Sequence, residues 1–497
     1  MPDEPAKRRP ARNRYVSRRD LLFQAGGGVS GLALAYMLDA DGLLAATPTD
    51  AEPGACGVAA NVTSPVAPKA SHFRPRAKSV ISLFMTGGVS HIDTFDPKPA
   101  LKKYHRQPLT GKGEVIVRQG YPGPLMASPF SFEKCGQSGI EVSELFPHVG
   151  SIIDELALIR SCVNKSNDHV LAHYEWNTGS LLMGHPSVGA WVTYGIGTEN
   201  QSLPAFVVIF DPRGGPNAGT RNWGSGYLPA AYQGTVFRTT GDPILDLKPP
   251  DRIGTRQQRN RLRHLTKLNE EHASRHPGSS ELAARIASYE LAYRMQGCAP
   301  EAVELSSESD ATKRLYGVDD PATEGFGKQC LLARRLVERG VRFVQLFNGA
   351  KRRSNYDDWD AHDDLADNHS RHAREIDKPI AGLITDLKQR GLLDETLVLW
   401  HSEFGRMPIS QKGLGRDHNP NAMSIWMAGA GIRGGQVIGA TDEFGYKSVE
   451  QPVSYHDVHA TILHMLGIDH KRLTYFFNGR NMRLTDVHGE LIPQIVA

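Results

Sequence analysis

Four tracts of this 497-residue chain gather side chains able to bind a metal ion or to attack an ester. Tyr356-Asp-Asp-Trp-Asp-Ala-His-Asp-Asp364 places Asp358 four residues and Asp360 two residues before His362. Helical spacing would pair Asp358 with His362, and an extended or loop backbone would pair Asp360 with His362. Either carboxylate–imidazole pair suits a divalent cation. Leu397-Val-Leu-Trp-His-Ser-Glu-Phe-Gly-Arg406, followed by Gly415-Arg-Asp-His418, is an apolar run that stops abruptly in Glu403 and His418. Thr86-Gly-Gly-Val-Ser-His-Ile-Asp-Thr-Phe-Asp96 sets His91, Asp93 and Asp96 behind two glycines that permit a tight turn. Ser166-Asn-Asp-His169, opening a polar run to Gly179, offers a hydroxyl nucleophile in Ser166 and an acid or base in His169. Each tract alone also has a plainer reading: Glu403 paired with Arg406, Asp93 capping a turn, a solvated acidic loop at 357–364. The recurrence of such tracts favours a site.

Side chains so far apart in sequence converge only if a sheet brings them together. Buried-strand runs occur at Val80 to Met85, Leu156 to Ile159, Phe206 to Phe210, Val341 to Phe347, Thr396 to Trp400 and Ile425 to Ala428. Helical stretches separate several of them; one is expected to open at Pro379 and end at Gly391, another to run from Val458 to Leu466. Alternating strand and helix predicts an α/β fold, a mainly parallel sheet with helices on both faces, and ligand-binding groups just beyond the carboxyl ends of the strands. Three of the four tracts directly follow such strands. His369 and His372 fall on an expected helix and are read as surface or supporting groups. Between about 211 and 327 the pattern changes to a Gly-rich aromatic loop and a long polar helical region, read as an insertion or cap.

Composition bounds the rest. At 40% hydrophobic the chain can bury a large core. A net charge of +3 with no aromatic-interleaved basic stretch argues against nucleic acid. Much of the basic excess lies before Ser17-Arg-Arg-Asp-Leu-Leu22, which leads into a weakly apolar, glycine-diluted run. Residues 1–46 therefore read as a twin-arginine export signal, with the export machinery as a partner and a periplasmic or extracellular destination. The glycines make the run a poor stable membrane span. Residues 47–77, rich in Pro, Ala, Gly, Ser and Thr, read as a flexible linker, and 78–497 as the folded domain. Five cysteines without paired spacing write neither a zinc ribbon nor a disulfide framework.

Together the motifs resemble the alkaline phosphatase superfamily of phosphatases, phosphodiesterases, phosphomutases and sulfatases. More narrowly they resemble the exported planctomycete-type proteins grouped as domain of unknown function 1501. The motifs that carry this are Gly87-Gly-Val-Ser-His-Ile-Asp-Thr-Phe-Asp-Pro-Lys-Pro99, Pro186-Ser-Val-Gly-Ala-Trp-Val-Thr-Tyr194, Trp359-Asp-Ala-His362, Ser402-Glu-Phe-Gly-Arg406 and Gly415-Arg-Asp-His-Asn-Pro420. The resemblance implies an alkaline phosphatase-like three-layer sandwich and one or two divalent ions, Zn, Ca or Mg. By position it puts the opening metal aspartate on Asp93, the ligands of the other ion on Asp358 or Asp360 with His362, the late Asp-His pair on Glu403-Phe404, and the last histidine on His418. Phe404 cannot ligate, so a second ion would recruit another residue such as His91, or be absent. The nucleophile position falls at His169, with Ser166 the nearest hydroxyl, and Cys162-Val-Asn-Lys-Ser166 lacks the formylglycine motif of sulfatases. The implied function is an exported metal-dependent hydrolase of a small-molecule or carbohydrate phosphate or sulfate ester. The alternative is a non-catalytic envelope protein that keeps the fold for binding or assembly.

Overall fold

In chain order the strands used below are β1 (Ser79–Met85), β2 (Leu156–Val163), β3 (Phe206–Ile209), β4 (Thr235–Phe237), β5 (Phe343–Asn348), β6 (Thr396–Ser402), β7 (Gly405–Gln411), β8 (Gly415–Asn419), β9 (Met423–Ala428), β10 (Gln436–Ile438) and β11 (Val453–Ser454). Nine of them form one sheet in the order β10-β2-β9-β6-β1-β5-β3-β4, with β11 also on β2. All pairings are parallel except the two made by β9. The computed structural model describes residues 64–496 apart from 114, 116, 119–121, 242, 245–253, 276–279 and 352–356. The expected export signal and the linker as far as 63 lie outside the described residues. All elements named here lie in a compact unit of Cys56–Lys248 and Leu265–Ala497, while the helical stretch 255–264 belongs to a separate unit.

Side-chain alternation along β1 explains the layering. Ile81, Leu83 and Met85 pack with Leu332 and Leu336 of α3 (Glu324–Glu338) and with Ile376 and Ile380 of α4 (Leu365–Gln389). Val80 and Phe84 point the other way, into the core shared with α1 (His169–Thr178), α2 (Val188–Ile196) and α5 (Tyr455–Met465) through Trp176, Val192, Val458 and Ile462 (α labels, like the strands, run in chain order). Each fully buried aliphatic or aromatic side chain contributes about 1.5–3 kcal/mol. A central strand so covered on both faces must be apolar, as Val80–Met85 of β1 and Leu397–His401 of β6 are apart from Ser82 and His401, which hydrogen-bond each other (Oγ to Nε2, 2.9 Å). The result is a three-layer α/β sandwich, as expected.

The expected helix start at Pro379 is corrected. Pro379 lies inside α4, which begins at Leu365 where Asp364 accepts the Asp367 N–H. A proline fits helix geometry when the lost hydrogen bond is tolerated, so Pro379 marks no start here. The earlier start turns His369 and His372 inward, and both are buried. His369 Nε2 accepts the Ser90 N–H at 3.0 Å. Residues 64–77, read as tether, are bonded along the body: Lys69 N–H to Ile196 C=O, His72 and Phe73 N–H to Gly467 C=O, Arg76 and Ala77 N–H to Met465 C=O. Within 211–327, described residues supply β4 to the sheet edge and Met295, Ala299 and Ala302 to the core.

Candidate metal centre

β5, β1 and β6 lie side by side, with Met85 in register with both Asn348 and Ser402, so their carboxyl ends open onto one place. The chain leaves β1 through Gly87 at φ +116°, where a Cβ would come within 2.5 Å of the Trp359 nitrogen. Only glycine lets the loops after β1 and β5 approach this closely. Beyond β6 the antiparallel hairpin β7–β8 folds back, with a register shift between Arg416 and His418, and carries His418 over the same end. Gly415, at the foot of the hairpin, sits where any side chain would collide with the His362 carbonyl. α1 begins with His169, its N-terminus capped by Asp168, which accepts from Val170 and Leu171 N–H.

These elements bring His169, Asp360, His362 and His418 together, with one donor atom from each within 4.8 Å of all the others. Asp360 is the hub: Oδ1 lies 2.9 Å from His362 Nε2, 3.1 Å from His418 Nε2 and 2.7 Å from Arg406 Nη2, and Oδ2 lies 3.4 Å from His169 Nε2. Burial opposes its ionisation, but the Arg406 guanidinium, helped by the hydrogen bond from His169, outweighs it and holds its pKa well below the usual carboxylate range.

The outward ring nitrogens are what define the site. His418 Nδ1 sits 2.7 Å from the Asn167 carbonyl, His169 Nδ1 sits 2.7 Å from Glu403 Oε1, and His362 Nδ1 meets Gln411 Oε1. A carbonyl can only accept, so Nδ1 of His418 carries a proton and Nε2 of the neutral ring is a lone pair. Burial, with His169 nearby, keeps that ring neutral by pushing its pKa down to about 3. His362, donating to Gln411, likewise turns a lone pair inward. The two Nε2 atoms then face each other at 2.9 Å, an arrangement that asks for a cation. Fixing the outer nitrogen of a histidine on an acceptor is how proteins aim the inner one at a metal. Three imidazole nitrogens and one carboxylate are a donor set suited to zinc or a similar first-row ion. Without a metal, burial disfavours charge on His169, but Asp360 and Glu403 outweigh it and lift its pKa to about 10, so a proton takes up part of this demand.

Glu403 stands one step out. It is fully buried, accepts the Gly87 N–H at 2.8 and 3.1 Å and the Ser402 hydroxyl at 2.9 Å, and lies 3.3 Å from His173 Nε2. Phe404, the residue after it, packs against the rings of His169 and His418 at 5.0 and 4.4 Å. Asp358 lies beside the group, with Oδ1 accepting the Asp360 N–H at 3.2 Å and Oδ2 buried without a hydrogen-bond partner. Burial and the neighbouring Asp360 charge push its pKa up to about 7. Ser166 does not join the cluster; its hydroxyl accepts the Asp168 N–H at 3.1 Å in a local turn.

Asp93 and His91 are placed elsewhere. Arg416 clamps Asp93 with Nε at 2.7 Å and Nη2 at 3.2 Å, both residues are fully buried, and Ser90 donates its hydroxyl to the same carboxylate. Asp93 therefore lies outside the group of His169, Asp360, His362 and His418, in an arginine pair of its own. His91 directs Nε2 to the Gly445 carbonyl at 2.8 Å. The consequence is testable: Asp93→Ala leaves a buried, unpaired guanidinium and is expected to cost about 3–5 kcal/mol of stability, read from urea midpoints. Asp93→Asn, which keeps acceptors for Arg416 and Ser90, is expected to retain metal. Loss of the ion from well-folded Asp93→Asn protein would return Asp93 to the ligand set.

The residues that reading from sequence missed are Gln411, the Asn167 carbonyl and His173; Arg406, read as a partner of Glu403, pairs with Asp360. Among the described residues no helix is long and apolar enough to cross a membrane.

Comparison with known proteins adds the family. No curated protein matches this sequence. Similar solved structures include the lipoteichoic acid synthase LtaP from Listeria monocytogenes, at 10% identity over 83% of this chain and 76% of that one, TM-score 0.35. PsFucS1 sulfatase from Pseudoalteromonas sp. is 12% identical over 80% and 68%, TM-score 0.34. The alkaline phosphatase from the Antarctic bacterium TAB5 is 10% identical over 75% and 96%, TM-score 0.31. Likenesses at this level carry no functional weight. The sequence profile described as "Protein of unknown function (DUF1501)" matches residues 77–496, nearly the whole described chain, and the protein belongs to that family.

Proposed function

We propose that this protein is an exported, single-ion metallohydrolase of phosphate or sulfate esters, with the ion held by His169, His362 and His418 through Nε2 and by Asp360. The observation that carries the reading is the set of inward-facing Nε2 atoms, each with its Nδ1 on an outer acceptor, around one carboxylate. Zinc or a related ion would polarise the ester oxygen and lower the pKa of bound water to about 7. Ca and Mg, which favour all-oxygen shells, fit this nitrogen-rich set less well.

The chain's own residues do the rest. Glu403, Gln411 and the Asn167 carbonyl hold the ring planes, and Arg406 keeps Asp360 ionised. Phe404 packs where a second ligand would stand and limits the site to one ion. Asp358, with an oxygen unpartnered by any hydrogen bond, can hold a proton beside the cluster. His169, 19% exposed where its partners are nearly buried, marks the side from which substrate reaches the group. This reading makes His169 a ligand, and water in place of a protein hydroxyl the nucleophile. The basic, twin-arginine start of the sequence supports export.

The test is turnover of zinc-loaded protein on p-nitrophenyl phosphate, its diester and p-nitrophenyl sulfate, before and after chelation. The expected result is turnover of at least one class that chelation abolishes and zinc restores. Metal-loaded, folded and inert protein would favour the binding or assembly reading instead.

A further inference from the structure

Arg118 is held at both ends by residues that adjoin proposed ligands. Its backbone N–H donates to Oδ2 of Asp417, a buried carboxylate whose Oδ1 accepts the His418 N–H at 2.9 Å. Its guanidinium Nη2 donates to Oδ2 of Asp168 at 2.7 Å. Asp168 spends Oδ1 on capping α1, accepting from Val170 and Leu171 at 3.1 and 3.2 Å. The residues immediately before His169 and before His418 therefore each hold one end of Arg118.

Arg118 differs from the other arginines of the site. Arg406 and Arg416 are fully buried on Asp360 and Asp93, whereas the Arg118 side chain is 46% exposed and its partner Asp168 33% exposed. An ion pair this exposed contributes only about 0–1 kcal/mol, so stability is a weak reason to hold a guanidinium there. A guanidinium is a planar fork that matches the oxygens of a phosphate, sulfate or carboxylate, and it stays charged at any working pH. It stands beside the N-terminus of α1, which the Asp168 carboxylate already caps.

Resting on the metallohydrolase reading, we propose that Arg118 is the oxyanion-recognition residue of this site: pre-set by Asp168 and Asp417, its guanidinium binds an anionic oxygen of the ester presented to the cluster. Arg118 thereby gives the site its preference for charged esters. Asp168 is the internal competitor that keeps the fork oriented until substrate arrives.

The test uses the full chain loaded with zinc and titrated calorimetrically with inorganic phosphate and with sulfate, alongside metal content and urea midpoints. Arg118→Ala and Arg118→Gln are expected to hold one zinc per chain and to unfold at the wild-type midpoint, yet to bind the preferred anion about tenfold or more weakly, as loss of a charge-assisted contact requires. Arg118→Lys, which keeps the charge without the fork, is expected to fall between. On the active ester the same variants raise KM more than they lower kcat. Unchanged anion affinity in Arg118→Ala and Arg118→Gln, or a zinc-loaded wild type that binds neither anion, would overturn the proposal alone. Loss of zinc from both variants would make Arg118 a positioning residue and overturn it too. A wild-type chain that binds no zinc would sink the metallohydrolase reading together with it.

Discussion

Asp360→Asn protein is expected to lose its bound ion and its hydrolytic activity while remaining folded. Asp360 is the one carboxylate that approaches all three histidines, and it carries the only negative charge among the four proposed ligands. Asparagine still offers Arg406 an oxygen; alanine would leave its buried charge with backbone carbonyls alone and no carboxylate, at about 3–5 kcal/mol. Loss of an outer-shell partner costs about 10–100-fold in metal affinity, and that is the range expected for Glu403→Gln and for Gln411→Ala. Loss of the ligand itself should exceed it. Competition titrations with a zinc chelator read this order directly. Equal losses in Asp360→Asn and Glu403→Gln would mean that Glu403 is itself a ligand.

The second large effect is acid sensitivity. His369, His401 and His459 are buried away from the proposed ligand set, and burial pushes each pKa down to about 3. His401 and His459 each leave Nδ1 without a hydrogen-bond partner, and no carboxylate is bonded to either ring. The folded pKa of these groups lies below the unfolded value of about 6.5. Their contribution is therefore fully present above pH 6.5 and is lost as pH falls toward 3, because the unfolded chain takes up protons that the folded chain refuses. Each contributes a slope of about 1.4 kcal/mol per pH unit, so the three together give about 4 kcal/mol per unit below pH 6. In the metal-free protein His418, with a pKa of about 3, adds to this loss, while Asp358, raised to about 7, and, above about pH 6.5, His169, raised to about 10, offset it with the opposite sign, so the net loss sets in below pH 6. Against a total stability of about 5–15 kcal/mol, such a slope unfolds the protein within a few pH units of neutrality. Urea midpoints are expected to change little from pH 7.5 to 6.0 and to fall steeply from pH 6.0 to 5.0, and His459→Asn to flatten that decline by about a third. A midpoint constant from pH 7.5 to 5.0 would contradict the burial account of these histidines.

The sandwich was legible because its central strands are covered on both faces and must be continuously apolar; the runs at Val80 and Thr396 could hardly be anything else. Asp360, His362, Glu403 and His418 were legible as candidates because their tracts follow such strands. What sequence left open was which carboxylate pairs with His362, and the chain decides it by keeping 358–362 out of a helix, so that Asp360 meets the imidazole. The role of Asp93 was not legible, since the guanidinium that claims it arrives from Arg416, across the fold on a hairpin with no apolar signature. The same hairpin brings Gln411 to His362, and the acceptor for His418 is a backbone carbonyl, which no residue type announces. His369 and His372 were legible as helical and as supporting groups, but not as buried ones; the helix start was misread at Pro379, whereas the cap at Asp364 sits fifteen residues earlier.

The most direct test is elemental analysis of zinc-loaded, desalted protein for the wild type, His169→Ala and Asp93→Asn. The proposed site predicts one zinc per chain in the wild type and in Asp93→Asn, and little or none in His169→Ala. Full zinc in His169→Ala, with the ion lost from Asp93→Asn, would contradict it and move the metal to the other side of Arg416.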